Sequence, residues 1–189
     1  HHRLMDLIDR HFTLLSDDHR DYSIEIDPRE ADESTIQRLA DTGFNRFSMG
    51  VQDVQEKVQK AVNRIQPISM TRNVIEACRS HKAKSINVDL IYGLPFQTLQ
   101  SFEDTLEQII ELSPDRLSVF NYAHMPHLFM PQKRIHETDL PSADEKLDIL
   151  QMTIQTLADA GYVYIGMDHF AKPDDELALA QQNGTLQRN

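Results

Sequence analysis

The feature that most constrains the fold of this chain is a regular alternation of strand-like and helix-like segments. Five segments carry strand patterns, and predicted helices separate them. The strand segments are residues 22–26, 44–51, 85–91, 115–122 and 162–166. Strands that alternate with helices form right-handed βαβ units, which assemble a parallel sheet. The sequence therefore predicts an α/β fold that is a parallel (β/α) barrel or a sector of one.

Composition limits the size and the partners of this fold. The 189 residues are 40% hydrophobic and 26% charged, which suits one core, and no linker separates two halves. We expect one domain over residues 1–189. The net charge of -11 argues against nucleic-acid binding. The sequence has no apolar run near the roughly 20 residues of a membrane span, so we expect no membrane insertion and a cytoplasmic location.

Cys78 is the only cysteine in the sequence. A single cysteine excludes an internal disulfide framework and an all-cysteine metal site within this chain. Val74, Ile75 and Ala77 surround it on a predicted helix, and this setting indicates a buried, unreactive thiol.

Polar residues follow the predicted strands, at the end where parallel barrels carry their functional loops. They lie in residues 25–29, 50–53, 89–95, 121–124 and 167–170. Residues 87–95 hold an apolar run that predicts a strand buried on both faces, ended by Gly93 and Pro95. Asp89 interrupts that run, and a carboxylate taken out of water needs a partner. We expect Asp89 and Glu25 to share one rim.

Each candidate also has a structural interpretation. Glu25 and Asp89 could be strand-end acids that backbone amides or an arginine satisfy. Arg64 could simply end the short helix before it. Asp168 and His169 resemble an acid-base or metal pair, but one acid and one histidine make a weak motif.

Six segments together resemble the oxygen-independent coproporphyrinogen III oxidases, a family of radical S-adenosylmethionine (radical SAM) enzymes of haem synthesis. They are residues 24–29, 47–53, 62–64, 87–95, 115–124 and 166–171. The resemblance covers nearly the whole chain. Residues 121–124 and 167–170 are more similar to these oxidases than to the related radical SAM haem chaperones, which share the earlier segments.

The resemblance implies chemistry carried by cofactors, S-adenosylmethionine and a 4Fe-4S cluster. The family converts two propionates of coproporphyrinogen III to vinyl groups, and the product is protoporphyrinogen IX. The resemblance also implies an electron donor for the cluster and a full-length protein that is a monomer. The residues that match the S-adenosylmethionine contacts of the family are Glu25, Gln52, Arg64, Asp89 and Ala123.

The sequence departs from the family where the cluster should bind. The family holds the cluster with a CxxxCxxC loop after its first barrel strand, and this chain has no such loop. We therefore expect an internal fragment of a radical SAM core, one that lacks the first strands and the carboxyl-terminal domain and is inactive alone. No metal ligand is assigned in it. Candidates for contact with the substrate are His124, Arg134 and His169.

Two other functions remain open from the sequence. The first is the radical SAM haem chaperone, which binds and delivers haem on the same scaffold. The second is a barrel enzyme of another kind, in which Glu25 and Asp89 act as an acid-base pair.

Overall fold

The structure, a computed structural model, describes residues 2–15 and 19–187. The described residues form seven helices and six strands. The helices are α1 (His2–Asp9), α2 (Glu33–Asp41), α3 (Glu56–Ala61), α4 (Ile68–Ser80), α5 (Leu99–Leu112), α6 (Ala143–Asp159) and α7 (Glu176–Gln182). The strands are β1 (Ser23–Ile26), β2 (Arg46–Gln52), β3 (Ser85–Tyr92), β4 (Arg116–Asn121), β5 (Val163–Gly166) and β6 (His169–Ala171).

The strands form one sheet in the order β1-β2-β3-β4-β6-β5. Each neighbouring pair from β1 to β4 is parallel, and helices connect the successive strands. Helix α5 begins with a capping box at Thr98, and Ser142 and Glu145 form another before α6. This arrangement confirms the predicted α/β class and a parallel partial barrel.

The end of the sheet differs from the prediction of five parallel strands. Residues 167–170 are not one loop on the rim, because β5 and β6 form an antiparallel hairpin and His169 and Phe170 belong to β6. Met167 and Asp168 make its turn with positive φ angles of 50° and 70°. Strand β6 lies between β4 and β5 and runs antiparallel to both, with His169 opposite Ser118. A three-residue strand is too short to show a periodic pattern in the sequence.

The sheet has one apolar and one polar face, which corrects the prediction that β3 is buried on both. Ile86, Val88 and Leu90 are at most 1% exposed and belong to the core that packs against α2, α4, α5 and α6. Asn87 and Asp89 alternate with them and are only partly buried. The opposite surface, here called the polar face, carries Glu25, Ser48, Asn87, Asp89 and Ser118.

Ion pairs hold α7 against the amino ends of the central strands. Arg46 at the start of β2 pairs with Glu176, and Lys84 pairs with the same carboxylate at 2.8 Å. Arg116 at the start of β4 pairs with Asp175 at 2.9 Å. Helix α7 therefore covers the end of the sheet opposite the functional loops. No helix among the described residues is long and apolar enough to cross a membrane.

Candidate functional site

Asp89 lies in the middle of β3, on the polar face, and not at the end of the strand. The Ser48 hydroxyl donates to one carboxylate oxygen at 3.0 Å, and Asn87 Nδ2 donates to the other at 2.8 Å. Asn87 in turn accepts from the Ser118 hydroxyl at 3.2 Å. These neutral donors orient the carboxylate, and no described cation forms an ion pair with it. Asp89 therefore keeps its charge available to a ligand.

Arg64 follows α3 and reaches back across the end of β2. Its amide donates to the Gln59 carbonyl at 2.8 Å, so its backbone does end the helix, as the structural interpretation proposed. Its side chain does more. Nη2 donates to the Gly50 carbonyl at 2.7 Å, and Nη1 pairs with Asp27 at 3.2 Å. The buried Nε atom has no hydrogen-bond partner in the structure, which leaves one donor of the guanidinium unsatisfied.

The loop that carries Arg64 is fixed by a buried glutamine. Gln59 Nε2 donates to the carbonyls of Asp53 and Gln66, each at 2.8 Å, and its Oε1 accepts from the Gln66 amide at 2.9 Å. Gln59 is 4% exposed, so water competes little for these bonds. They close the segment between β2 and α4 and fix the point from which Arg64 projects.

Asp27 is the charge partner of two arginines just beyond β1. Arg29 donates to both of its carboxylate oxygens, at 3.0 and 2.6 Å. Hydrogen bonds from Arg29, with the nearby charge of Arg64, hold the pKa of Asp27 at about 2, below its usual value. Burial lowers the pKa of Arg64, and the charge of Asp27 opposes that effect. Asp27 therefore holds the Arg64 guanidinium in place.

Glu25, Gln52 and Arg64 line one open pocket of about 290 Å³, here called the first pocket. Its other lining residues are Ile26, Asp27 and Gly50. Gln52 reaches it because β2 is irregular between Gly50 and Gln52, and Gln52 has a φ of 69°. A Cβ atom on Gly50 would lie 2.8 Å from Gln52 Nε2 and 3.4 Å from Arg64 Nη2. The glycine therefore leaves room for both side chains at the base of the pocket.

A second pocket of about 400 Å³ adjoins the first and shares Gln52 and Arg64 with it. Its remaining lining residues are Val62, Asn63, Ile91, Leu94, Tyr122, Pro131, Gln132, Arg134 and Ile135. Two short 3₁₀ turns, Met130–Arg134 and Glu137–Asp139, lie in the segment that covers it. That segment connects β4 to α6, above the carboxyl ends of the strands.

Ala123 lies two residues after β4, next to Tyr122 of the second pocket. Its carbonyl accepts from Gln132 Nε2 at 3.0 Å, so its backbone anchors the covering segment. His124 Nδ1 lies 3.1 Å from the Tyr122 hydroxyl, and these two side chains form a hydrogen-bonded pair.

The structure brings together most of the residues that the sequence singled out. Glu25, Gln52 and Arg64 share the first pocket, while Asp89 and Ala123 lie on the neighbouring strands β3 and β4 and line neither pocket. His169 is not on this rim. It lies opposite Ser118 in the middle of the sheet and lines a cavity of about 250 Å³ with Ser48, Asn87 and Arg116.

Sequence reasoning missed four residues of this region as functional candidates. They are Ser48, Asn87, Asp27 and Gln132, which orient the residues that the motifs did identify. Ser48 lies opposite Asn87 in neighbouring strands, and a correct assignment of the polar face would have pointed to both. The contacts of Asp27 and Gln132 depend on loop conformations, which carry no periodic signal.

The donors and acceptors of this region fit S-adenosylmethionine. The guanidinium of Arg64 at the first pocket suits the methionine carboxylate, and carboxylates suit an ammonium or ribose hydroxyls. The same residues do not fit a 4Fe-4S cluster, which needs thiolates. Cys78 is fully buried on α4, and burial raises its thiol pKa to about 12. The described residues contain no cluster of side chains that could hold a metal ion.

The chain is similar to known radical SAM proteins. Residues 3–109 match the family model of the Radical SAM superfamily. The chain is 61% identical over 186 residues to an oxygen-independent coproporphyrinogen III oxidase of Pseudomonas aeruginosa. It is 52% identical over 187 residues to the protein of that name from Escherichia coli. These alignments cover 98% and 99% of this chain but 40% of each relative, so the chain spans about two-fifths of their length.

Solved structures give the same result for the fold. The structure of coproporphyrinogen III oxidase from Escherichia coli, a radical SAM enzyme, superimposes with a TM-score of 0.95 at 52% identity. That match covers 99% of this chain and 43% of the solved chain. A radical S-adenosylmethionine methyltransferase from Kitasatospora setae is 14% identical, with a TM-score of 0.54 over 66% of this chain and 25% of its own. At that identity the likeness concerns the fold alone.

Proposed function

The chain belongs to the radical SAM superfamily, and from this premise we propose that its polar face and first pocket bind S-adenosylmethionine. The observation that carries the proposal is Arg64, which lines the first pocket and whose two Nη atoms are oriented by the Gly50 carbonyl and by Asp27. A guanidinium oriented in this way can donate its remaining Nη hydrogens to a carboxylate.

The other candidate residues complement the remaining groups of this ligand. The carboxylate of Asp89 suits the methionine ammonium, since only neutral groups donate to it within the chain. Glu25 is exposed at the pocket and suits ribose hydroxyls, while Gln52 offers both a donor and an acceptor. Ala123, with its small side chain, allows close approach of the backbone to the adenine or sugar.

The proposed activity of the full-length protein is that of an oxygen-independent coproporphyrinogen III oxidase. It would convert two propionates of coproporphyrinogen III to vinyl groups. Both curated relatives described above carry this name at more than 50% identity, which favours the oxidase over the haem chaperone. S-adenosylmethionine supplies radical chemistry when it is bound, and this chain supplies its binding and orientation.

The proposal includes further properties of the full-length protein. It needs an electron donor for a 4Fe-4S cluster, and we assign that cluster no ligand in this chain because Cys78 does not fit. We further propose a cytoplasmic monomer that binds no nucleic acid and does not insert into membranes. Within it, residues 1–189 form part of a single radical SAM barrel domain.

An acid-base pair of Glu25 and Asp89 is less consistent with the geometry. β2 lies between β1 and β3, so their strands are about 10 Å apart at the usual strand spacing. The two residues are also staggered, because Glu25 lies opposite Ser48 and Asp89 opposite Gly50. This separation does not favour proton transfer to and from one reacting group.

The activity is tested by anaerobic incubation of the reconstituted full-length protein with S-adenosylmethionine, a reductant and coproporphyrinogen III. We expect loss of two carboxyl groups as carbon dioxide and formation of two vinyl groups, measured by mass spectrometry. Haem binding without any decarboxylation would overturn the oxidase proposal and support the chaperone. A Lys60→Gln variant, which changes an exposed residue of α3, should have the same turnover as wild type.

A further inference from the structure

The second pocket combines an apolar lining with positive charge. Val62, Ile91, Leu94, Pro131 and Ile135 supply the apolar walls. Its charged lining residues are two arginines, and no carboxylate lines it. The whole chain has a net charge of -11, so a cationic pocket runs against its general charge. This lining suits an anion with an apolar body.

The cover of this pocket is held in place from both ends. Gln132 donates to the Ala123 carbonyl and accepts from the Met125 amide at 2.6 Å. At the other end, the Phe96 amide donates to the Asp139 carbonyl at 2.8 Å and joins the cover to the loop after β3. These bonds fix the segment that positions Arg134 at the pocket.

Arg134 differs from the other arginines at the ends of the sheet. Arg64 pairs with Asp27, and Arg116 pairs with Asp175. The structure gives the Arg134 side chain no ion pair or hydrogen bond with any described residue. Its charge is therefore neutralised only by solvent or by a ligand. A planar guanidinium at an apolar wall recognises carboxylates through two parallel hydrogen bonds.

We propose that the second pocket binds one propionate-bearing pyrrole of the tetrapyrrole substrate, with Arg134 paired to the propionate carboxylate. This inference rests on the proposed function, since it names the part of that substrate that this chain holds. The pyrrole ring and its methylenes lie against the apolar wall. Gln52 and Arg64 separate this pocket from the first one and are shared by both. The substrate therefore lies directly beside S-adenosylmethionine.

The test measures binding of coproporphyrin III, the stable oxidised form of the substrate, to the reconstituted full-length protein. Fluorescence titration compares wild type with Arg134→Gln and Arg134→Lys. We expect the Arg134→Gln variant to bind about 10- to 100-fold more weakly, as for loss of a charged hydrogen-bonded pair. The Arg134→Lys variant keeps the charge without the planar fork and should be intermediate. The neutral tetramethyl ester should bind wild type and Arg134→Gln equally.

Lys133→Gln is the matched control, because Lys133 is the neighbouring exposed cation and does not line the pocket. We expect it to bind coproporphyrin III as wild type does, and all three variants to keep wild-type affinity for S-adenosylmethionine. Equal binding by wild type and Arg134→Gln overturns this inference alone, and so does an equal loss in Lys133→Gln. A wild-type protein that binds S-adenosylmethionine but no coproporphyrin III overturns the proposed substrate, and the inference with it.

Discussion

The guanidinium of Arg64 donates from Nη2 to the carbonyl oxygen of Gly50 at 2.7 Å, and thereby ties the loop after α3 to the end of β2. The same side chain pairs with Asp27 beyond β1. One arginine thus connects three segments of the chain and still keeps a buried donor unsatisfied. Such a buried donor costs free energy of folding.

Asp27→Asn should destabilise the fold in a pH-dependent way. The pKa of Asp27 is about 2 in the folded protein and near 3.8 when unfolded, so the ionised group stabilises the fold above about pH 4. That contribution, about 1 kcal/mol after solvent screening, is lost as pH falls towards 2. The measurement is the difference in free energy of unfolding between wild type and variant from pH 2 to 7. In an Arg29→Gln background this difference should shrink, and an unchanged difference would contradict the role given to Arg29.

Asp89→Asn should weaken S-adenosylmethionine binding and leave the fold nearly unchanged. The amide keeps the size of the side chain and can still accept a hydrogen bond, so we expect a stability change within about 1 kcal/mol. Loss of the charge opposite an ammonium should weaken binding about 10- to 100-fold. Calorimetric titration of the reconstituted full-length protein measures this, with cluster absorbance as the control. Loss of that absorbance would mean that Asp89 supports the structure instead of the ligand.

Gly50→Ala should act on the ligand more than on stability. The added Cβ atom would meet Gln52 Nε2 at 2.8 Å, and this amide is the end of a flexible side chain that can move away. Unfolding midpoints should therefore change little. S-adenosylmethionine should bind several-fold more weakly, because the amide leaves the first pocket. A large loss of stability with unchanged affinity would show that Gly50 serves the strand and not the pocket.

Cys78 should be inert in the native chain. It is fully buried, and its pKa of about 12 leaves almost no thiolate at pH 8. A thiol reagent should label it only after denaturation in urea. Rapid labelling of the native protein would contradict the burial described here.

Iron and sulfide added to the 189-residue chain should give no cluster absorbance.

The sequence predicted the parallel part of this fold because its signals are local. Capping residues such as Thr98 and Ser142 and the alternating strand and helix patterns appear in neighbouring positions. The prediction failed where pairing between strands that are distant in the sequence determines the structure. Strand β6 exists because His169 and Phe170 find partners on β4, about fifty residues earlier in the chain. The polar face was also missed, because the apolar run of β3 obscured its alternation.

The site was also predicted only in part, because local motifs are visible in the sequence and contacts between distant residues are not. Motif resemblance identified Glu25, Gln52 and Arg64, and the structure places them in one pocket. It could not reveal that Asp27 orients Arg64 or that Asn87 orients Asp89, since these contacts depend on register and loop conformation. His169 was predicted for the loop after β5, because the three-residue strand β6, which places it opposite Ser118, is too short to recognise in the sequence.

The most direct test of the proposed S-adenosylmethionine site is a calorimetric measurement of affinity for that ligand. It compares the reconstituted full-length wild-type protein with its Arg64→Ala variant. We predict that Arg64→Ala weakens binding about 10- to 100-fold, because it removes the guanidinium that pairs with the methionine carboxylate of the ligand. The cluster absorbance should stay intact. Arg38→Ala is the control, because Arg38 is exposed on α2 and its guanidinium donates to the hydroxyls of Ser34 and Thr35, away from the first pocket. Equal affinity of wild type, Arg64→Ala and Arg38→Ala would contradict the proposed site.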